Sequence, residues 1–382
     1  MIKIKKKVAF ITPYVIPRFM GFNNSFQESV RKYFDGEYDV IFFIVKNVPV
    51  HRHHEDYTSR FNFNYKILKT KQIYLKKIEL ALDVPLNMFS SLVSYNPDLI
   101  IYDGFGFSYF QGYLYEVLFR KRSMMWNMHA TPESIRLRKG IFYKLKCFLI
   151  NRHSSVISGG DGQTEYLKTH GVSDEKIFRN DFVIDLKSFY EGVINNLNFL
   201  EREPDNDNRL NILYTGELIP RKGVINILKA LVNVSFSYRL TIVGAGEEEN
   251  VLRDFAEKYE INCFFKGFVS PYEISNYYAK NDVLIVSSLR EAWGIVVAEG
   301  LASGLYTICS DRVGAKRMIR LGEEGEVYDC EREESLRESF ENAFVSLREI
   351  RKGRNRRANV FMGRYSIAKM TKEFSEIVFS NL

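Results

Sequence analysis

No stretch of the 382-residue chain reaches the 18 or so consecutive apolar residues that a helix needs to span a bilayer. A helical membrane-embedded protein is therefore excluded. The opening MIKIKKKVAFITPY is basic, but its apolar run covers only Val8 to Thr12 before Pro13. That is too short for a secretion signal and reads as a first β-strand. Cysteine is scarce: Cys147, Cys263, Cys309 and Cys330 lie far apart with no CxxC pair. This excludes a zinc site of the usual spacing and points to a reducing compartment, so a cytoplasmic location is expected. An Asp-x-Asp cluster at a strand end is also missing, and no metal or other cofactor is expected. HRHHED at 51–56 lacks known metal-ligand spacing and reads as a polar loop. The chain has no solenoid repeat, no low-complexity tract and no known nucleic-acid motif, so nucleic acid is not an expected partner.

What is present divides the chain in two. At 382 residues and 46% hydrophobic, it exceeds the size at which single cores stop growing, and two domains are expected. Residues 1–190 hold 28 Lys and Arg against 18 Asp and Glu, whereas residues 191–382 hold 26 against 29. The whole basic excess sits in the first half, which implies different partners for the two halves. Apolar runs that look like buried parallel strands alternate with helical patterns: KVAFIT, YDVIFFIV, PDLIIYD, SMMWNM and SSVISGG, then RLNILYTG, RLTIVGAG, NCFFKGF, DVLIVSS and LYTICSD. The expected fold is α/β, with two doubly wound Rossmann-like domains facing across a cleft. NNLNFLEREPDNDNR, polar and broken by Pro204, reads as the connection. The expected division is 1–190, a linker at 191–208, a second domain at 209–360 and a terminal helix at 361–382 that crosses back.

One carboxylate then needs explaining. From Ile295 to Ser310 every residue is apolar, small or weakly polar except Glu299. A buried, unpartnered carboxylate costs several kcal/mol, so something must hydrogen-bond it. In open α/β sheets ligands bind beyond the carboxyl ends of the strands. VLIVSSLREAWGIVVAEG supplies a strand, a loop with Glu291, and a helix starting at Gly294, whose free N–H groups suit an anion. A nucleoside diphosphate sugar fits: diphosphate at Ala292, Trp293, Gly294 and Ile295, sugar hydroxyls at Glu291, ribose hydroxyls at Glu299. In LYTGELIPRKGVINIL, Gly216 ends a strand and Arg221-Lys222 stand at a helix start, where cations oppose the helix dipole unless an anion lies between. The loop GFVSPYE, with Phe268 and Val269, is placed to offer backbone groups to a base. Gly244-Ala245-Gly246 reads as a tight turn, because the third glycine of a dinucleotide fingerprint is Glu249.

These residues resemble the donor domain of the family-four retaining glycosyltransferases, which have the GT-B fold, strongly over about residues 209–320 and weakly elsewhere. The family's Glu-x7-Glu motif is matched by Glu291 and Glu299, and its phosphate-binding lysine by Lys222-Gly223. Glu217 stands where the family has Arg, and Arg221 is read as its substitute. In the first half, Gly21-Phe22 stand where a glycine loop is common, His129 follows a strand as a family histidine does near the donor sugar, and RNDFVIDLKSF is similar to the family's Asn-x-x-Asp-x-x-x-Phe segment. The resemblance implies a retaining, metal-independent transfer of a hexose-type sugar, with UDP as the expected nucleotide, onto a saccharide or lipid-linked acceptor for cell-surface polysaccharide, lipopolysaccharide or capsule. The catalytic set is His129, Glu291 and Lys222, with the first domain holding the acceptor. Two rival readings are a nucleotide-sugar epimerase of the same fold and a non-catalytic nucleotide-sugar-binding protein. Finally, nine Lys or Arg stand between Arg120 and Arg152 against one acid, Glu133, with Ile141, Phe142, Leu145, Phe148 and Leu149 interleaved. A helix from about Ile141 to Ile150 is expected to lie peripherally on an anionic membrane surface.

Overall fold

A computed structural model describes residues 5–13, 15, 17–34, 37–45, 58–75, 80–127, 141–180, 185–200, 208–270 and 273–382. The chain divides into two compact units, residues 1–185 with 367–382, and residues 186–366. Each of the ten apolar runs named above contains a strand.

The first unit is built on β1 (Lys6–Thr12), β2 (Tyr38–Ile44), β3 (Tyr65–Ile67), β6 (Leu99–Asp103), β7 (Arg122–Asn127), β8 (Ser155–Ser158) and β9 (Ile177–Arg179). They form one parallel sheet in the order β3-β2-β1-β6-β7-β8-β9. A separate antiparallel pair, β4 (Thr70–Leu75) and β5 (Leu80–Pro85), stands beside it. The alternation of a strand sends Phe10 and Phe42 to one face and Ala9 and Ile11 to the other. On the first face Phe10 and Phe42 stack at 4.5 Å, and Phe26 of helix Pro17–Tyr33 and Phe374 of the last helix, Ile367–Ser380, close over them at 5.3 and 6.2 Å from Phe10. Ala9 and Ile11 join Ile100, Tyr102, Tyr109, Tyr115 and Leu149 in the opposite core layer. Burial on both faces is why these strands are near-continuous apolar runs.

The second unit repeats the plan with β10 (Leu210–Thr215), β11 (Tyr238–Val243), β12 (Cys263–Phe265), β13 (Val283–Val286), β14 (Tyr306–Ser310) and β15 (Gly325–Tyr328). The parallel order is β12-β11-β10-β13-β14-β15. Strand order therefore reverses between β10 and β13, the switch point at which doubly wound sheets open a crevice.

Two expectations change. The segment read as a linker from 191 is helical as far as Leu200: helix Lys187–Leu200 belongs to the second unit, with Val193 buried and Phe189 edge-on to Tyr278 at 4.9 Å. Gly21 is not in a loop. It lies inside helix Pro17–Tyr33, where a Cβ would come within 2.3 Å of the Asp185 Cβ, so a close approach requires the glycine. His129, HRHHED at 51–56 and the basic residues Arg136, Arg138 and Lys139 lie outside the described residues. No helix among the described residues is long and apolar enough to cross a membrane.

Candidate active site

The loops following β10, β11, β12 and β13 are stitched into one layer at the carboxyl edge of the second sheet. Gly216 N–H donates to the Val243 carbonyl at 3.0 Å, Leu218 N–H to Ala245 at 3.0 Å, and Gly244 N–H to Gly267 at 2.8 Å. A Cβ on Gly244 would stand 1.8 Å from the Gly216 carbonyl oxygen, at a φ of +141°. The Gly244-Ala245-Gly246 turn thus serves close backbone packing. Across the switch point, the Ser287 hydroxyl donates to the Lys222 carbonyl at 2.8 Å, and Leu289 N–H donates to the Arg221 carbonyl at 2.9 Å. These two bonds hold the loop carrying the cations against the loop carrying Glu291.

The side chains meet there. Lys222 Nζ donates to Glu291 Oε2, and Arg221 Nη1 reaches the same oxygen at 3.2 Å. Lys222 and Glu291 are mostly covered, at 17% and 18% side-chain exposure, while Arg221 is more open. Arg221 also pairs with Glu217 at 3.3 Å. The acid at 217 is therefore a partner of the arginine one helical turn on. Tyr214 supports this loop by donating to the Glu217 carbonyl at 2.9 Å, and burial holds its hydroxyl protonated well above the usual phenol range.

Glu291 is fixed by its backbone. Its N–H donates to Arg312, its carbonyl accepts from Gly314 at 3.1 Å, and the Trp293 carbonyl accepts from Ala315 at 2.7 Å. Ala292 and Trp293 lead to Gly294, whose φ of +92° is left-handed and whose Cβ would meet Val313 at 2.7 Å. Only glycine makes that turn into helix Ile295–Ala302 without strain. Trp293 is buried, with the Arg317 guanidinium 5.3 Å from its ring centre.

Glu299 stands on that helix and is 3% exposed. The Tyr278 hydroxyl donates to its Oε2 at 2.8 Å, and Thr215 Oγ1 is 3.0 Å from the same hydroxyl. With the tyrosine proton committed to the carboxylate, Thr215 is the donor to the tyrosine oxygen. The protein thus supplies a hydrogen bond that the sequence reading assigned to ligand hydroxyls. Tyr278 lies on helix Ile274–Ala279, and Arg354 ties that helix to the Glu299 helix. Its guanidinium donates to the Tyr278, Ala279 and Asn281 carbonyls at 2.6, 3.0 and 2.8 Å and to the Ser303 carbonyl at 3.1 Å. Burial lowers the Arg354 pKa to about 10, which leaves it charged at neutral pH. Phe268 and Val269 lie in the loop after β12, at the far edge of the sheet, and line a cavity with Arg239, Lys266, Tyr277 and Lys280. Sequence reasoning missed Tyr278, Ser287, Arg317 and Arg354, none of which stands at a fixed spacing from the two glutamates.

The two halves are Rossmann-like, and the fold is GT-B. It matches the Anabaena protein Alr3699/HepE, solved in complex with UDP and glucose, with a TM-score of 0.71 at 15% identity over 98% of this chain and 100% of that one. A glycosyltransferase from Rickettsia africae matches at 0.73 and 16% identity, over 99% of both chains. In sequence, residues 197–358 match the family model described as Glycosyl transferases group 1. An uncharacterized glycosyltransferase of Methanocaldococcus jannaschii is 27% identical over 32% of this chain and 33% of its own length. The lipopolysaccharide 1,2-N-acetylglucosaminetransferase of Salmonella typhimurium is 27% identical over 28% of this chain and 32% of its own. An uncharacterized 41.2 kDa protein in the cps region of Klebsiella pneumoniae is 24% identical over 59% and 64%. The chain spans about a third of the length of the first two relatives and under two thirds of the third.

Proposed function

We propose that the chain is a retaining glycosyltransferase of family four that moves a hexose-type sugar from a nucleoside diphosphate, with UDP as the nucleotide, to a saccharide or lipid-linked saccharide of the cell surface. The observation that carries the reading is the meeting of Lys222, Arg221 and Glu291 at the switch point, one helix start away from the buried Glu299. Likeness to the lipopolysaccharide and cps-region proteins supports a surface polysaccharide as the product.

The chemical task is to stabilise a leaving diphosphate and an oxocarbenium-like sugar. In this reading Lys222 and Arg221 exchange Glu291 for the diphosphate oxygens, a donor set that needs no metal ion. The N–H groups from Gly294 onward add to that charge. Glu291, released, accepts hydrogen bonds from sugar hydroxyls. Glu299, held at Oε2 by Tyr278, takes the ribose. His129 orients the sugar, and the leaving phosphate accepts the acceptor's proton, which keeps departure and attack on one face. The acceptor is assigned to the first unit, at the cytoplasmic face of the membrane.

The test is incubation with a panel of UDP-, GDP- and ADP-sugars without acceptor. Slow hydrolysis of one donor is the expected result. Epimerised donor would favour the epimerase reading, and binding without turnover would favour the non-catalytic one.

A further inference from the structure

Helix Phe107–Phe119 is turned inside out. Its buried residues are Ser108, Tyr109, Gly112, Tyr115 and Glu116, and its solvent side is Phe107, Phe110, Leu114, Val117 and Leu118, each 41% to 61% exposed. At 100° per residue these five fall within about 100° of arc, one stripe some 16 Å long. A surface helix ordinarily shows its polar side to water. Here the polar side is fastened inward. The Tyr109 hydroxyl meets His153 Nε2 at 3.1 Å, Ser123 meets His153 Nδ1 at 2.8 Å, and Tyr102 donates to Glu116 Oε2 at 3.3 Å. The stripe cannot roll inward without breaking that buried network.

The stripe is matched by exposed Leu145 and Phe148 on the next helix, Ile141–Arg152. Cations border it. Lys146 lies 5.3 Å from the Phe105 ring centre, and Arg152 lies 5.7 and 5.8 Å from those of Tyr113 and Phe148. Lys144 is exposed on the same helix, and Arg120 and Lys121 follow the stripe's end. The one acid on either helix, Glu116, is buried. Contiguous exposed apolar surface of this kind marks an interaction site. A second copy docked about a two-fold axis would set these cations against their own equivalents, which costs free energy. An anionic leaflet supplies opposite charge at the rim and acyl chains for the stripe, while Lys and Arg extend along apolar surface to the headgroups.

We infer that helix Phe107–Phe119 is an interfacial helix whose stripe enters an anionic lipid leaflet while Lys144, Lys146 and Arg152 engage the headgroups. This extends the membrane contact expected on the basic segment at 141–150 to an adjacent, uncharged stripe, and adds insertion to electrostatic attachment. It rests on the lipid-linked acceptor reading for its purpose, not for its observations.

The test uses the full chain with vesicles of phosphatidylcholine alone or with phosphatidylglycerol. The chain is expected to float with the anionic vesicles. The triple variant Phe110→Gln, Leu114→Gln, Leu118→Gln should partition at least about thirtyfold less, since each buried apolar group contributes independently of charge. Its thermal midpoint should fall by no more than a few degrees, because the three side chains are already 50% to 61% exposed. A Phe110→Trp variant should be quenched by brominated acyl chains, which a surface-only attachment would not produce. Flotation unchanged in the triple variant, or no flotation by the parent, overturns the inference, as does a parent dimer that the triple variant dissociates. Donor hydrolysis measured without vesicles is a separate readout, so either reading can fail while the other stands.

Discussion

The division of labour between the two glutamates makes the sharpest prediction. Glu299 is buried and accepts from Tyr278 at 2.8 Å. If it receives the ribose, Glu299→Ala removes a charge-assisted hydrogen bond of about 1 to 3 kcal/mol from UDP and from UDP-sugar alike, roughly 5- to 150-fold in Kd. Tyr278→Phe leaves the carboxylate in place but loosens it, and should cost only the roughly 0.5 to 1.5 kcal/mol of an ordinary hydrogen bond. Glu291 behaves oppositely. It holds Lys222 and Arg221 in the free protein, so a diphosphate must compete with it for both cations. Glu291→Ala removes the competitor, and UDP should bind unchanged or up to about fivefold tighter, the scale of a partly exposed ion pair. The same variant loses the sugar contact, so UDP-sugar should gain nothing over UDP and turnover should fall. Titration calorimetry of the three variants with both ligands separates these outcomes. Equal losses of both ligands in both glutamate variants, or UDP binding unaffected by Glu299→Ala, would refute the assignment.

Lys222→Ala should lower turnover by on the order of a hundredfold, as for loss of a group that meets developing charge, while unfolding shifts by no more than about 1 kcal/mol. A matching loss of stability would make the lysine structural. Activity should survive EDTA, because the diphosphate's counter-charge is assigned to side chains; loss on chelation with recovery on adding Mg²⁺ or Mn²⁺ would contradict this. In the first unit, burial and then the charges of Lys176 and Arg152 push the His153 imidazole down to about 3 from its usual 6.5. The fold keeps it neutral, so its contribution is complete above pH 6.5 and is lost as pH falls from there toward 3, at up to about 1.4 kcal/mol per pH unit. Glu116, raised by burial, works in the opposite sense, with stability present below its usual value and lost as pH rises. His153→Gln should therefore flatten the acid limb of the first unit's melting curve, and an unchanged limb would remove His153 as its cause.

The strands that were legible are those buried on both faces. β13 is a four-residue apolar run and β8 sets Val156 and Ile157 between two buried serines, and neither carries a charge, so both read directly from the sequence. Those that escaped carry no such signature. β3 is Tyr65–Ile67 with all three residues exposed, and β15 opens on Gly325, where a Cβ would stand 2.0 Å from the Thr307 carbonyl oxygen. Helix Lys187–Leu200 was hidden by its asparagines, although Phe189 and Val193 keep helical spacing. In the site, Lys222 and Glu291 were legible because each follows a strand in a short loop whose position the α/β plan dictates. Tyr278 was not. It reaches Glu299 from a helix 21 residues away in sequence, and Arg354 fixes it from 76 residues beyond, so only the packing of three helices relates them.

Periodicity has a further limit that helix Phe107–Phe119 exposes. The pattern FSYFQGYLYEVLF announces two faces, one of Phe, Leu and Val and one of Ser, Tyr and Glu. A sequence argument turns the first face inward by default, since burying it is favourable by about 25 cal/mol per Å². What reverses the choice is non-local: His153, itself held by Ser123, pairs with the Tyr109 hydroxyl, and Tyr102 donates to Glu116. Turned the other way, the helix would expose no charged group except Glu116 and would leave that network unmade within the core, a cost of about 1 to 3 kcal/mol for each stranded polar group. The buried polar network therefore selects the orientation. The apolar stripe it leaves outside is a surface the fold maintains at a cost in water, and contact with acyl chains would remove that cost.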